Sequence, residues 1–419
     1  MLTSIAWQSL VSRRKTVLLT FLSLVVSISV LLSVEHIRLQ AKESFNRTIS
    51  GVDLIVGAPS GELNLLLYSV FRMGSPTNNI KYDSFAMLKS NQSVVWAVPI
   101  SLGDSHHGFR VMGTNQDYFK YFKYANKKAL ALTAGKIFDG PFAAVIGADV
   151  AKSLGYQVGD KIVLSHGIGQ TSFVHHDQAP FTVSGIIGRT GTPVDKTVHV
   201  SLAAIEAIHL PATQLQKLLQ ESTQNNSQLA VNNEYIPDSI TAVLLGLNNK
   251  FATFTLQRQI GNYQQDRLMA VLPGVAMAQL WSLMGNVEKV LQVIGSLVLL
   301  ASLFGLATML LASMNERQKE IAVFRILGAS PKLIVSLVLL EALIISVFAI
   351  MLSFLVVTLL LTALDGWLTA EYGLFLNQNV LTQDSAMLAL IILGATSVTA
   401  LIPGIEAYKR ALHGQLSAR

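Results

Sequence analysis

The 419-residue sequence contains no cysteine, which excludes a disulfide framework, thiolate chemistry and cysteine-ligated metal. Charge is scarce too. Only 13% of the residues are Asp, Glu, Lys or Arg, against about 25% in an ordinary soluble domain. With 51% hydrophobic residues and a mean hydropathy of +0.48, these proportions point to lipid. No G-x-x-x-x-G-K-[ST] phosphate loop, G-x-S-x-G elbow or H-E-x-x-H helix occurs, so neither a nucleotide-binding nor a hydrolase signature is written in this chain.

What is present is unevenly spread. Residues 1–35 and 285–419 are apolar and poor in acids, whereas 36–284 carries turns, alternating strands and ordinary charge. That is a membrane part split by one long water-exposed insertion. Crossing the bilayer core takes about 20 mostly apolar residues, and four segments qualify: Thr16 to about Val34, the uncharged stretch between Lys289 and Glu316, Lys332 to about Leu364, and about Ala386 to Ile402. No small-residue cleavage site follows Leu32, so the first fits a span better than a signal peptide.

Basic residues set the orientation. Arg13, Arg14 and Lys15 precede the first span, Arg317, Lys319, Arg325 and Lys332 fill the loop between spans two and three, and Lys409, Arg410 and Arg419 follow span four. Between Lys332 and Lys409 there is no Lys or Arg, and the loop after span three carries Asp365, Glu371 and Asp384 instead. The positive-inside rule therefore predicts cytoplasmic termini, a cytoplasmic 315–332 loop and an outer 36–284 segment. The net charge of +6 follows the membrane flanks and forms no single patch, so nucleic acid is not an expected partner. Helical patterning continues past span one to about Phe45, and a helix begins near Val275. A second helix of about 40 residues would be roughly 60 Å long and would form a stalk with the first; a break at Pro273 or Gly285 is the alternative.

In the insertion, strands are expected over 52–56, 94–100, 109–113, 161–164, 181–187, 197–201 and 241–245, and helices over 147–155, 201–209, 211–221 and 251–262. This mixed order predicts an α+β domain. The Gln-, Asn- and Ser-rich stretch 214–233 predicts an exposed excursion.

The cytoplasmic loop carries the sharpest pattern. Glu316, Arg317, Lys319 and Glu320 form the polar side of a short helix, and Ile321, Phe324 and Leu327 its apolar stripe. Gly328 suits the position that ends it, and Ser330-Pro331 suits an N-cap with proline in the first turn of span three. A surface anchor would explain this pattern, and its mixed charge also suits a groove on a protein partner. Here the chain resembles the permeases of the MacB, LolC/LolE and FtsX group. Their motif ER-x-x-E-I-x-x-x-R-x-x-G-A stands as Glu316, Arg317, Glu320, Ile321, Arg325, Gly328 and Ala329, with Ala322 in place of the usual glycine. Glu341 matches an acid common early in that group's third span. Residues 144–151, 159–162 and 181–187 look like a MacB-type periplasmic core domain, and Pro403, Ala407 and Arg410 loosely match the terminal pattern.

The resemblance implies a permease subunit of an ABC transporter in the bacterial inner membrane, itself no enzyme. It would hold no cofactor, with ATP and Mg on a separate cytoplasmic ATPase dimer. Glu316, Arg317, Glu320, Ile321, Phe324, Arg325, Gly328 and Ala329 would couple to that ATPase. A second permease copy (homodimer or related heterodimer), membrane lipid and a periplasmic or lipoprotein partner complete the expected company. The activity would be mechanotransmission, in which ATP hydrolysis moves the outer domain to export or extract a substrate. An FtsX-like scaffold regulating a periplasmic hydrolase is the rival.

The expected fold is a membrane α-helical protein of four transmembrane helices, with an α+β extracytoplasmic domain inserted between helices 1 and 2. Its parts are a first span and stalk (1–46), the outer domain (47–272), a second stalk and span (273–314), the coupling helix (315–332), span three (333–364), an outer loop (365–385), span four (386–405) and a tail (406–419). Glu341 is an intramembrane acid whose two readings are a function and a structural role, the latter a pairing near the interface with Arg325 or Lys332 or a hydrogen bond across helices. Asp104, His106 and His107, with His175, His176 and Asp177, would ligate metal only if the fold joined the two patches; alone they are solvated loop residues. Trp281 and Trp367 fit interfacial anchors.

Overall fold

Within hydrocarbon every backbone N–H and C=O must bond inside its own segment, which leaves the helix as the available form for these apolar stretches. A computed structural model describes residues 2–125, 127–140, 142–166, 179–211, 213–215, 236–316, 329–372 and 379–413. It contains four helices long and apolar enough to cross a membrane, with candidate spans Arg14–Gln40, Pro273–Met314, Pro331–Leu364 and Gln383–Lys409. A helical unit is built from 1–41, 284–367 and the C-terminal helix, and a sheet unit chiefly from 42–283.

In the helical unit the first span helix runs Arg14–Thr48, the second Pro273–Glu316, the third Pro331–Tyr372 and the fourth Gln383–His413. The second holds 44 residues without a break at Gly285, or about 66 Å at 1.5 Å per residue. Pro273 stands in its first turn, where a missing N–H leaves no hydrogen bond unmade. A short helix, Leu2–Ser12, precedes the first span and was not expected from the sequence; Ala6 and Leu10 are buried, and the Trp7 ring lies 6.0 Å from Phe348.

The spans approach through small residues. Ser302 lies 2.5 Å from Ser27 and 3.1 Å from Ser23, tying span two to span one. Ser353 donates to the Val25 carbonyl at 3.0 Å, and Ser346 meets Thr396 at 3.1 Å. A Cβ on Gly295 would fall 2.6 Å from the Leu31 side-chain tip, which would have to shift to admit it. Helices in lipid associate through such packing and hydroxyl bonds because lipid tails supply no hydrophobic drive between them.

The sheet unit is α+β. Its largest sheet orders its strands Met269–Val271, Leu54–Gly57, Ala242–Leu247, Val94–His106, Phe109–Thr114, Thr197–Ser201, Ala143–Ile146, Phe181–Ile187 and Leu132–Gly135. The pairs Phe109–Thr114 with Thr197–Ser201 and Ala143–Ile146 with Phe181–Ile187 are parallel; the others along this path are antiparallel. Val94–His106 outruns its expected 94–100. It pairs with Ala242–Leu247 up to Ile100 and from Ser101 on forms a hairpin with Phe109–Thr114, whose register shifts between Leu102 and Ser105. Ser165–His166 pairs with Asp104 and Ser105 at its far end. One core gathers Ile55, Tyr68, Val98, Tyr118 and Val271, another Phe142, Phe181, Val183 and Val198, and a third Leu54, Phe85, Val243 and Leu256. The 214–233 excursion from residue 216 on, and the helix expected over 211–221 beyond residue 215, lie outside the described residues.

Candidate functional site

The long second helix begins as part of the sheet unit's core. Ala276 and Met277 are buried there, Leu280 and Trp281 pack against the same cluster, and Gln279 donates to Glu62 at 2.6 Å. Trp281, expected as an interfacial anchor, is half-buried, with its ring against the sheet unit's core. The side chain of Trp367 lies outside the described residues.

Further along, in the helical unit, Arg38 of the first span helix bridges Glu35 on its own helix at 2.5 Å and Glu288 on the second at 3.6 Å. All three side chains are 21–28% exposed, a setting in which an ion pair contributes about 1 kcal/mol or less. Its consequence is registry between the two helices.

At the other end the second helix closes at Glu316, and the third opens at Pro331 with Leu333 N–H donating to the Ser330 carbonyl at 3.0 Å. Ala329 is half-buried. Of the other expected coupling residues, Arg317, Glu320, Ile321, Phe324, Arg325 and Gly328 lie outside the described residues, as does the side chain of Glu316. Glu341 is 2% exposed on the third helix, flanked by buried Val338, Ala342 and Ile345, and is engaged in a polar interaction. Among the described span residues it is the one buried carboxylate. Burial without a partner would be costly in lipid.

The histidines fall differently from expectation. His106 is 3% exposed; its Nδ1 lies 2.7 Å from the Val163 carbonyl, and Nε2 lies 3.0 Å from the Tyr156 hydroxyl. Nδ1 must carry the proton it gives the carbonyl, so both ring nitrogens are occupied. Burial pushes this imidazole below the ordinary histidine range. His107 is exposed in the hairpin turn at φ +47°. His175, His176 and Asp177 lie outside the described residues, and among those described no group of three or more His, Asp or Glu could hold a metal ion.

A buried polar cluster elsewhere in the sheet unit has no signature in the sequence. His199 is fully buried, its Nδ1 3.1 Å from the Val145 carbonyl and its ring against Tyr118 and Phe119. Burial, reinforced by the nearby Arg72 charge, holds it down at about 3. Burial likewise raises Tyr118 to about 12. Arg72 donates to the Ser69 carbonyl and to Met112 Sδ.

Residues 16–260, more than half of the chain, match the MacB-like periplasmic core domain, and residues 293–412 match the FtsX-like permease C-terminal model. The chain belongs to the FtsX-like permeases of the MacB type. This permease is thus a component of an ABC transporter family, a multi-pass membrane protein with an extracytoplasmic domain between its first two spans. It is similar to the periplasmic region of MacB from Actinobacillus actinomycetemcomitans, 11% identical over 56% of this chain and 94% of that one, with a TM-score of 0.35. It is also similar to the extracellular domain of the noncanonic ABC-type transporter YknZ from Gram-positive bacteria, 14% identical over 52% and 99%, with a TM-score of 0.29. No curated protein matches it in sequence.

Proposed function

We propose that this chain is the permease subunit of a MacB/Lol-type machine in the bacterial inner membrane, with both termini inside. It converts ATP hydrolysis on a separate ATPase dimer, which carries ATP and Mg, into movement of the outer domain. The 315–328 segment docks on the ATPase, two permease copies pair, and a substrate or partner protein is worked upon outside.

One observation supports this reading above the others. The second helix is continuous from buried core residues Ala276 and Met277 to Glu316, where the coupling motif begins. A continuous helix carries a push at one end to the other, because its backbone hydrogen bonds resist local shortening. The spans offer little for a solute: their buried polar groups are mainly hydroxyls already bonded to helix carbonyls.

Affinity purification of the chain from native membranes tests it. An ABC ATPase should be recovered in stoichiometric amount, and Arg317→Glu should abolish that recovery while leaving the permease in the membrane. Recovery of a periplasmic hydrolase with an ATPase, but without any transported molecule, would favour the regulatory scaffold. Recovery unaffected by Arg317→Glu sinks the coupling assignment.

A further inference from the structure

In the outer domain, the loop from Arg72 to Asn79 folds back over one face of the strand Phe109–Thr114. Arg110 and Met112 are two apart on that strand and so share the face. Arg110 donates to the Gly74 carbonyl, and Arg72 donates to Met112 Sδ at 2.6 Å. The loop makes this turn with Arg72 at φ +60° and Gly74 at φ +76°. Two guanidinium groups are thereby brought near one another. Among the described residues neither has a carboxylate partner.

Beside them lies a bowl of about 450 Å³, lined by Ser75, Pro76, Thr77, Asn78 and Asn79 on one side and by Leu102, Gly103 and Arg110 on the other. Its lining has one cation, no acid, and several hydroxyl and amide donors. Asn79 is committed, donating to Ser239 and accepting from Thr241, each at 3.3 Å. Ser75, Thr77 and Asn78 are exposed and, among the described residues, hold no side-chain hydrogen bond. Burial lowers both arginines from their ordinary value, and for Arg72 the charge of Arg110 adds to the effect while Tyr118 opposes it. Both remain cationic, so Arg110 presents an unneutralised charge to a donor-rich hollow, with the like charge of Arg72 nearby, and an anion would relieve both.

We propose that this bowl is an oxyanion site, which seats the carboxylate or phosphate of a small polar molecule on Arg110, with Ser75, Thr77 and Asn78 donating from the rim. Arg72 stands behind Arg110 and supplies field without contact. The site goes beyond the ATPase coupling, since binding needs no ATPase and is measured on the permease alone.

The test uses full-length protein in phosphatidylcholine nanodiscs, titrated with inorganic phosphate and separately with acetate, at constant ionic strength held by chloride. Saturable binding by calorimetry is expected, weakened about ten- to a hundredfold in Arg110→Gln, the range for losing a charge-assisted hydrogen bond. Asn78→Asp, which sets a negative charge on the rim and leaves both arginines in place, should weaken phosphate about tenfold. It keeps the test valid if Arg110→Gln fails to fold. Adding phosphatidic acid to the nanodisc separates the sources: competition with phosphate assigns the site to a lipid headgroup, and unchanged affinity assigns it to a soluble anion. No saturable binding of either probe, or binding indifferent to both substitutions, overturns the proposal.

Discussion

In the helical unit the buried polar side chains are mostly short hydroxyls: Ser27, Ser302, Ser346, Ser353 and Thr396, each 0–6% exposed and each bonded to a helix carbonyl or to a facing hydroxyl. In the sheet unit ionisable groups are commoner: Asp104, His106, Asp149, Asp195 and His199 are buried, against His36 and Glu341 in the helical unit, among the described residues. The environments explain the contrast. Lipid gives helices no hydrophobic reason to touch, so small residues and weak hydroxyl bonds hold them, at about 0.6 kcal/mol apiece. Water drives the sheet unit together strongly enough to bury costly groups. One region can therefore rearrange its contacts at small cost, and the other keeps its shape as a body.

The largest expected effect tests the cost carried by the outer domain. Neutral His199 donates from Nδ1 to Val145, and the folded state holds its proton affinity down at about 3, from an ordinary 6.5. The folded state thus resists a proton that the unfolded chain accepts. This contribution is complete above pH 6.5 and is lost as pH falls toward 3, by on the order of 4–5 kcal/mol. His106, shifted the same way, adds to the slope. Burial raises Asp149 and Asp195, whose contribution has the opposite sign: it is full at low pH and lost as pH rises through their folded values. His199→Gln should therefore remove most of the acid-side loss in denaturant midpoints measured from pH 7 to 3. Equal slopes in the two proteins would show that the buried ring is not the cause.

Next in size is Gly147→Val. A Cβ there would lie 2.3 Å from the carbonyl oxygens of Val194 and Asp195, in the turn where Asp195 accepts from Thr190 and Gly191. Backbone cannot yield as a side-chain tip can, so a loss of about 3 kcal/mol is expected in thermal unfolding of the outer domain. Span helicity by circular dichroism should survive. If the spans unfolded together with the outer domain, the two regions would be one cooperative body. The smallest effect belongs to the spans: Ser302→Ala removes the link to Ser23 and Ser27 and should cost about 1 kcal/mol or less in a detergent-unfolding assay. A loss several times larger would contradict the picture of cheap, movable contacts.

The same contrast governs what the sequence made legible. Four spans followed from the length of the apolar runs, and Phe181–Ile187 and Thr197–Ser201 from their β-branched residues between turns. Ala143–Ile146 has neither period nor aromatic content, and Met269–Val271 is three residues long; pairing in the sheet defines both. Glu62–Ser69 and Tyr82–Lys89 are two-turn helices too short for their period to stand out. Arg72, Tyr118 and His199 come from separate stretches and meet only in the fold. His199 was hidden further because its strand is buried at every position, Thr197 through Ser201, leaving no alternation to mark it. The oxyanion bowl was illegible for the same reason, since residues 75–79 meet Arg110 only through the folded hairpin.

If the unbroken second helix carries ATP-driven displacement to the outer domain, a break at Gly285→Pro should stop it. Space around Gly285 is open, so a proline ring there meets only its own helix, removing one backbone hydrogen bond and kinking it at about 3 kcal/mol. Since the chain has no cysteine, a spin label at Val158→Cys, an exposed position, reports the distance between outer domains of paired permeases. In the assembly with its ATPase, trapping with ATP and vanadate should shift that distance, and Gly285→Pro should abolish the shift while nucleotide binding persists. An unchanged shift in Gly285→Pro, or none in the parent, would contradict the account.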